Sequence, residues 1–143
     1  AVAGEVTVEG GGGFLPNISM EQVKQDLHDA IASSPDEWLR SHFELRFNKL
    51  HNDSFEFPAD HPLPVALSKA CRSAGIAGEV TGWNVSCDAR LYAKRAKIPT
   101  VVFGPGDIVH AHSAREQIRF SEIQQAAQSL IHFLVDWCEE KPA

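Results

Sequence analysis

The sequence predicts an α/β fold in two parts, a strand-helix-strand subdomain followed by an α/β layer in which helices alternate with buried strands. Three observations predict it. Apolar and polar residues alternate twice in the first fifty residues: Val2, Val6 and Val8 against Glu5, Thr7 and Glu9, then Phe43, Leu45 and Phe47 against Glu44, Arg46 and Asn48. That is the period of a strand with one wet face. Later, residues 98–103 run without alternation, as in a strand covered on both faces by helices. Stripes of helical period separate these segments.

Taken in order, the strand over 2–8 runs into Gly10 to Gly13. A glycine run can cradle phosphate, but no Gly-Lys-Ser/Thr ending or dinucleotide-binding spacing follows, so a flexible strand end or bulge is the better reading. Ser19 and Gln22 form a capping box, with Ile18 and Val23 placed as a hydrophobic staple. Met20, Val23, Leu27, Ala30 and Ile31 then share one helical face. A short acidic turn around Pro35 and Asp36 leads to the second strand, 43–50. Residues 51–60, HNDSFEFPAD, carry turn formers at both ends and read as a crossing between subdomains 1–50 and 61–143.

Beyond the crossing, Asp60 can cap a helix that tolerates Pro62 in its first turn, presents Leu63, Ala66, Leu67, Ala70, Cys71 and Ala74 on one face, and stops at Gly75. A strand over 79–85 leads into Ser86, a cap for a further helix to about Ala96. The covered strand 98–103 follows. Ser121 and Gln124 form a second capping box, with Ile123, Ala126, Ala127, Leu130, Ile131, Leu134 and Trp137 as the apolar face of a long terminal helix.

Composition narrows the function. With 143 residues, 43% of them apolar, the chain can build one ordinary globular domain or two small ones. A formal charge of -6, with no basic run, argues against a nucleic-acid surface. Cys71, Cys87 and Cys138 are odd in number and widely spaced, which argues against a disulfide framework and for a reducing compartment. No segment has the roughly 20 apolar residues that span a bilayer, and the first residues lack the pattern of a signal peptide. The expected setting is cytoplasmic, away from membranes.

Two stretches can carry chemistry. Gly104-Pro105-Gly106 breaks the apolar run at the place where open α/β sheets bind ligands, and His110, His112 and Glu116 follow. A His-x-His pair can offer two nitrogens to one metal; such a pair is more often only a solvated loop. In the second stretch, residues 82–90, Ser86 and neighbouring backbone N–H groups could hold an anion. Arg90 offers a planar fork suited to a carboxylate, and Asp88 either pairs with it or favours the helix dipole. An N-cap followed by surface charges would look the same.

These residues carry a resemblance. Ser86-Cys-Asp-Ala-Arg90, then the Gly-Pro-Gly loop running to Ala111-His-Ser-Ala-Arg-Glu116 and the terminal helix, resemble the carboxyl-terminal end of the dinuclear-zinc amidohydrolases, which include acetylornithine deacetylase, succinyl-diaminopimelate desuccinylase, aminoacylase and carboxypeptidase G2. The first fifty residues resemble the later half of that family's inserted lid. The resemblance implies amide hydrolysis of an N-acyl amino acid or short peptide with two divalent ions, zinc or cobalt. It implies His112 as a ligand to one metal, Ser86 and Arg90 near the substrate, Gly104 to Gly106 as a wall of the site, and a homodimer through the lid-like subdomain.

The family's remaining ligands, a His-x-Asp segment, a bridging aspartate, a Glu-Glu pair and a further acidic ligand, belong upstream of the portion this sequence resembles, and none is present in it. Asp60-His61 and Glu139-Glu140 mimic pieces of that set in the wrong order. The lid histidine that faces the substrate carbonyl is missing too. The expectation is therefore a carboxyl-terminal portion of such an enzyme, inactive by itself for want of metal ligands and a general base. The alternative from another class is a non-catalytic association module that pairs through the lid-like sheet.

Overall fold

The computed structural model describes residues 3–48, 52–83 and 85–139. Val2, Lys49, Leu50, His51, Asn84 and Glu140, which belong to expected elements or motifs, lie outside these. The backbone divides into two compact units, Ala1–Glu56 with Asn84–Arg90, and Phe57–Trp83 with Leu91–Ala143.

In the first unit, α1 (Met20–Ala32) begins where the sequence predicts. Ser19 is extended and its hydroxyl accepts the Gln22 N–H at 3.1 Å. The capping box is only half made, since Gln22 Nε2 donates instead to Asp26 Oδ1 at 2.7 Å. The acidic turn turns out to hold a short helix, α2 (Glu37–Ser41), because Asp36 Oδ1 accepts from both Trp38 N–H and Leu39 N–H at 2.9 and 3.2 Å. Trp38 and His42 stack at its end with ring centroids 4.7 Å apart.

The α/β expectation is overturned. Among the described residues there is no strand and no sheet, and the regular structure is helical. The alternation over 43–48 does order the side chains: Phe43 and Leu45 are half-buried while Glu44 and Arg46 are exposed. These two exposed residues form a bidentate pair, with Arg46 Nε and Nη2 each 2.7 Å from the Glu44 carboxylate. Those hydrogen bonds hold the Glu44 carboxyl below its ordinary value. The segment lies against α1 through side chains, His28 meeting Phe43 at 5.4 Å and the Lys24 ammonium lying 5.7 Å from the Phe47 ring. Period two dictates which side chains face inward, but a strand also needs a second backbone to take up its N–H and C=O groups. Among the described residues none does so here, nor at 3–8, 79–83 or 98–103. The strand-helix-strand subdomain and its lid-like sheet are therefore absent among the described residues, and the expected homodimer surface built on that sheet falls with them. Residues 98–103 are not covered on both faces either, since Ile98 and Val102 are about half exposed.

The second unit is built on α3 (Pro62–Ser73) packed against α5, numbered below. His61, rather than Asp60, caps α3: its Nδ1 accepts the Leu63 N–H at 3.1 Å, and its ring meets Phe57 at 4.8 Å. Pro64, Leu67, Ala70 and Cys71 are buried, so the expected face is right apart from Pro64. A short helix, α4 (Ala89–Lys94), is narrower than predicted. The terminal helix α5 (Phe120–Glu139) starts earlier than the Ser121 box implies, since Glu122 Oε2 accepts the Arg119 N–H at 3.2 Å. Its inner face is also rotated from the predicted one. Ala126 and Ser129 are the buried residues, whereas Ile131 and Leu134 are 61% and 56% exposed. Small residues on both helices suit close backbone approach, and the Ser129 hydroxyl is satisfied by its own helix, donating to the Gln125 carbonyl at 2.9 Å.

After α3 the chain turns at Gly75 and passes Gly78, where it touches the helix again. Gly78 has φ +67, and a Cβ there would lie 2.5 Å from the Ser68 carbonyl oxygen. The Gly78 carbonyl in turn accepts from the Ser68 hydroxyl, which Arg72 Nη1 also meets at 2.7 Å. Gly78→Ala is expected to destabilise the protein by about 1–3 kcal/mol in urea unfolding, because it adds left-handed strain to a backbone clash. Gly82→Ala, at a position with open space and ordinary φ, should stay within about 0.5 kcal/mol.

Candidate functional site

The first cluster gathers around Arg90, at the start of α4 in the first unit. Its side chain is only 13% exposed. Nη1 donates to the Cys87 carbonyl at 2.7 Å and to the exposed Asp88 carboxylate at 3.2 Å. Nη2 donates to Asn52 Oδ1. The same Asn52 amide donates through Nδ2 to Ser86 Oγ at 3.2 Å. Ser86 and Arg90 are thus drawn together through a third residue. Asn52 was not singled out by the sequence, and no local signal could have done so, for its partners are 34 and 38 residues away along the chain. Of the two alternatives for Asp88, pairing with Arg90 is the one observed.

The second cluster is the loop 104–116 in the second unit. Gly104 and Gly106 are exposed, and Gly106 takes φ +90. Asp107 then caps a single 3-10 turn, Ile108–His110, its Oδ1 accepting the Val109 N–H at 3.0 Å. His110 is half-buried and its carbonyl accepts from the Ser113 hydroxyl at 2.8 Å. His112 is exposed and has φ +58. A non-glycine residue in the left-handed region is uncommon, histidine taking it more readily than most, and it costs of order 1 kcal/mol. The conformation is held from outside the residue, since Glu116 Oε2 accepts the His112 N–H at 3.1 Å. That bond commits one oxygen of Glu116 to the loop's own backbone. His110 and His112 consequently differ in backbone, exposure and partners.

Among the described residues no group of three or more His, Cys, Asp or Glu side chains converges as a metal site would require. His112 remains a single candidate nitrogen, and the residues present do not amount to a full ligand set. A shallow cleft of about 380 Å³ opens beside α3 and α5, lined by Asp60, Val65, Lys69, Asp136 and Trp137, with Lys69 and Asp136 paired at 3.1 Å. None of the candidate site residues Ser86, Arg90, Gly104, Gly106 and His112 lines it. Among the described residues, no helix is long and apolar enough to cross a membrane.

The sequence model of "Peptidase family M20/M25/M40" matches residues 2–136 of this chain. Similar curated proteins include N-formyl-4-amino-5-aminomethyl-2-methylpyrimidine deformylase of Bacillus subtilis, 30% identical over 90% of this chain and 33% of the relative. The protein of that name from Halalkalibacterium halodurans is 27% identical over 91% of the chain and 33% of the relative. Acetylornithine deacetylase of Aliivibrio salmonicida is 27% identical over 87% and 31%. The chain spans about a third of the length of these relatives. No solved structure matches significantly.

The geometry at His112 makes a prediction that needs no substrate. If Glu116 holds the left-handed turn, Glu116→Ala should raise the hydrogen-exchange rate of the His112 amide by about tenfold or more, the cost of losing a charge-assisted hydrogen bond. Glu116→Gln, which keeps an acceptor, should change it less. An amide that exchanges equally fast in all three proteins would show that the carboxylate does not restrain the loop.

Proposed function

The chain belongs to peptidase family M20/M25/M40, and on that premise we propose that it is the carboxyl-terminal portion of a metal-dependent amidohydrolase that removes a small acyl group from nitrogen. The observation that carries the reading is the strained backbone at His112. Two described non-glycine residues, Lys97 at φ +56 and His112 at φ +58, take the left-handed backbone; what sets His112 apart is that a carboxylate four residues on holds it there, and retained strain of this kind clusters at functional positions. It is also the residue the family resemblance offers as a metal ligand. The names of the deformylase and deacetylase relatives both describe loss of a one- or two-carbon acyl group from nitrogen, which supports N-deacylation over peptide cleavage.

In this reading the ions, zinc or cobalt, would act as Lewis acids toward the amide carbonyl when bound. What this chain contributes is more limited. His112 offers one nitrogen, with its main chain fixed in advance. Arg90 and Ser86 bind and orient the substrate through charge-assisted hydrogen bonds, and the exposed loop at Gly104 to Gly106 forms a wall. A metal centre that supports hydrolysis normally has three protein ligands and an open position, so the missing ligands and the general base must come from elsewhere in the full-length protein.

Two outcomes follow. The full-length protein with added zinc or cobalt should release acetate or formate from N-acetyl or N-formyl amines, and His112→Ala should lower kcat/KM by about 100-fold or more, as removal of an orienting or ligating group at a metal does. The isolated chain, given the same metals and substrates, should show no turnover that a chelator abolishes. Steady chelator-sensitive turnover by the chain alone, or an unimpaired His112→Ala enzyme, would refute the assignment.

A further inference from the structure

The resemblance gives Arg90 and Ser86 a place near the substrate and gives Asn52 none. The hydrogen bonds, however, run through Asn52. An arginine can only donate, so the amide oxygen of Asn52 must face the guanidinium, as observed. The amide nitrogen is then committed to Ser86, where it donates to Oγ at 3.2 Å. Ser86 Oγ is used as an acceptor in that bond, which leaves its own O–H free to donate to a third group. The roles of both functional side chains are thus fixed by the orientation of one amide.

The guanidinium is constrained on the same principle. Of its five N–H donors, three are engaged among the described residues, by the Cys87 carbonyl, Asp88 and Asn52. The carboxylate among these partners, Asp88, is 80% exposed while the Arg90 side chain is 13% exposed. A largely covered cation whose counter-charge lies mostly in water retains donors and net charge for an anion. Asn52 is neutral, so it restrains the fork without cancelling that charge. An aspartate at the same position would pair with the fork and occupy it.

We propose that Asn52 is a positioning residue: it locks the Arg90 fork and the Ser86 hydroxyl in the arrangement that selects substrates bearing a carboxylate beside the scissile amide. This rests on the proposed N-deacylation and deepens it, since it names the residue that sets the geometry of Arg90 and Ser86 toward a substrate carboxylate.

The test uses the full-length protein with N-acetyl-L-ornithine and its carboxamide, and reads the ratio of kcat/KM for acid over amide. Wild type should prefer the acid by about tenfold or more, the usual effect of one charge-assisted hydrogen bond. Arg90→Ala should bring the ratio close to one. Asn52→Ala should lower it by about fivefold to tenfold, mostly through a raised KM for the acid, and Asn52→Asp should lower it at least as far. A ratio that falls in Arg90→Ala but holds in Asn52→Ala overturns the inference and leaves the carboxylate-binding role of Arg90 standing. A wild-type ratio near one overturns that role and the inference together, while hydrolysis of both substrates would still support N-deacylation. Equal losses on acid and amide in Asn52→Ala, with a lowered melting temperature, would make Asn52 merely structural.

Discussion

The packing of α3 against α5 is the contact on which the second unit depends. Among the described residues, all the buried ones but Ala89 lie on these two helices: Pro64, Leu67, Ala70 and Cys71 on one, Ala126 and Ser129 on the other. Most are small. A seam of small residues gains little from each side chain's hydrophobic transfer, at roughly 25 cal/mol per Å² of apolar surface removed from water, and gains instead from close backbone approach and dispersion. The Gly78 turn extends this contact, because only a residue without Cβ lets the chain touch the Ser68 carbonyl. The loop with His112 leads into α5, so its anchor is one of the two helices of this contact.

The same packing explains where the sequence misled. The terminal helix has two candidate faces. The predicted one carries Ile123, Ala126, Ala127, Leu130, Ile131, Leu134 and Trp137; the observed inner face shares Ala126 with it but turns toward Ser129, leaving Ile131 and Leu134 exposed. Periodicity weights residues by hydrophobicity and so centres the face on the large apolar residues, but the contact with α3 is centred on the small ones, Ala126 and Ser129. Short-range signals fared better. The Ser19 cap, the face of α3 and the glycine after it were legible because each depends on residues within one turn of one another. The extended segments were legible as to which side chains face inward at 43–48, and not as strands, because a ladder requires a partner backbone that a one-dimensional pattern cannot supply.

The candidate site divides along the same line. Glu116 reaches the backbone of a residue four positions away, so the His-x-x-x-Glu spacing could be seen in the sequence, although not that the carboxylate would accept the His112 N–H rather than join the imidazole. Asn52 reaches across 34 and 38 residues to Ser86 and Arg90, and nothing around HNDSF distinguishes it from an ordinary turn asparagine. In both clusters a side chain of modest chemistry holds a residue of stronger chemistry in place, and in both the restraint is a hydrogen bond that the restraining group can make in one sense only: a carboxylate accepts, and an amide oxygen faces an arginine. Such restraints fix geometry without consuming the group that would meet the substrate. His112 keeps its imidazole because Glu116 takes the backbone N–H, and Asn52 adds no charge to that of the exposed Asp88 already beside Arg90.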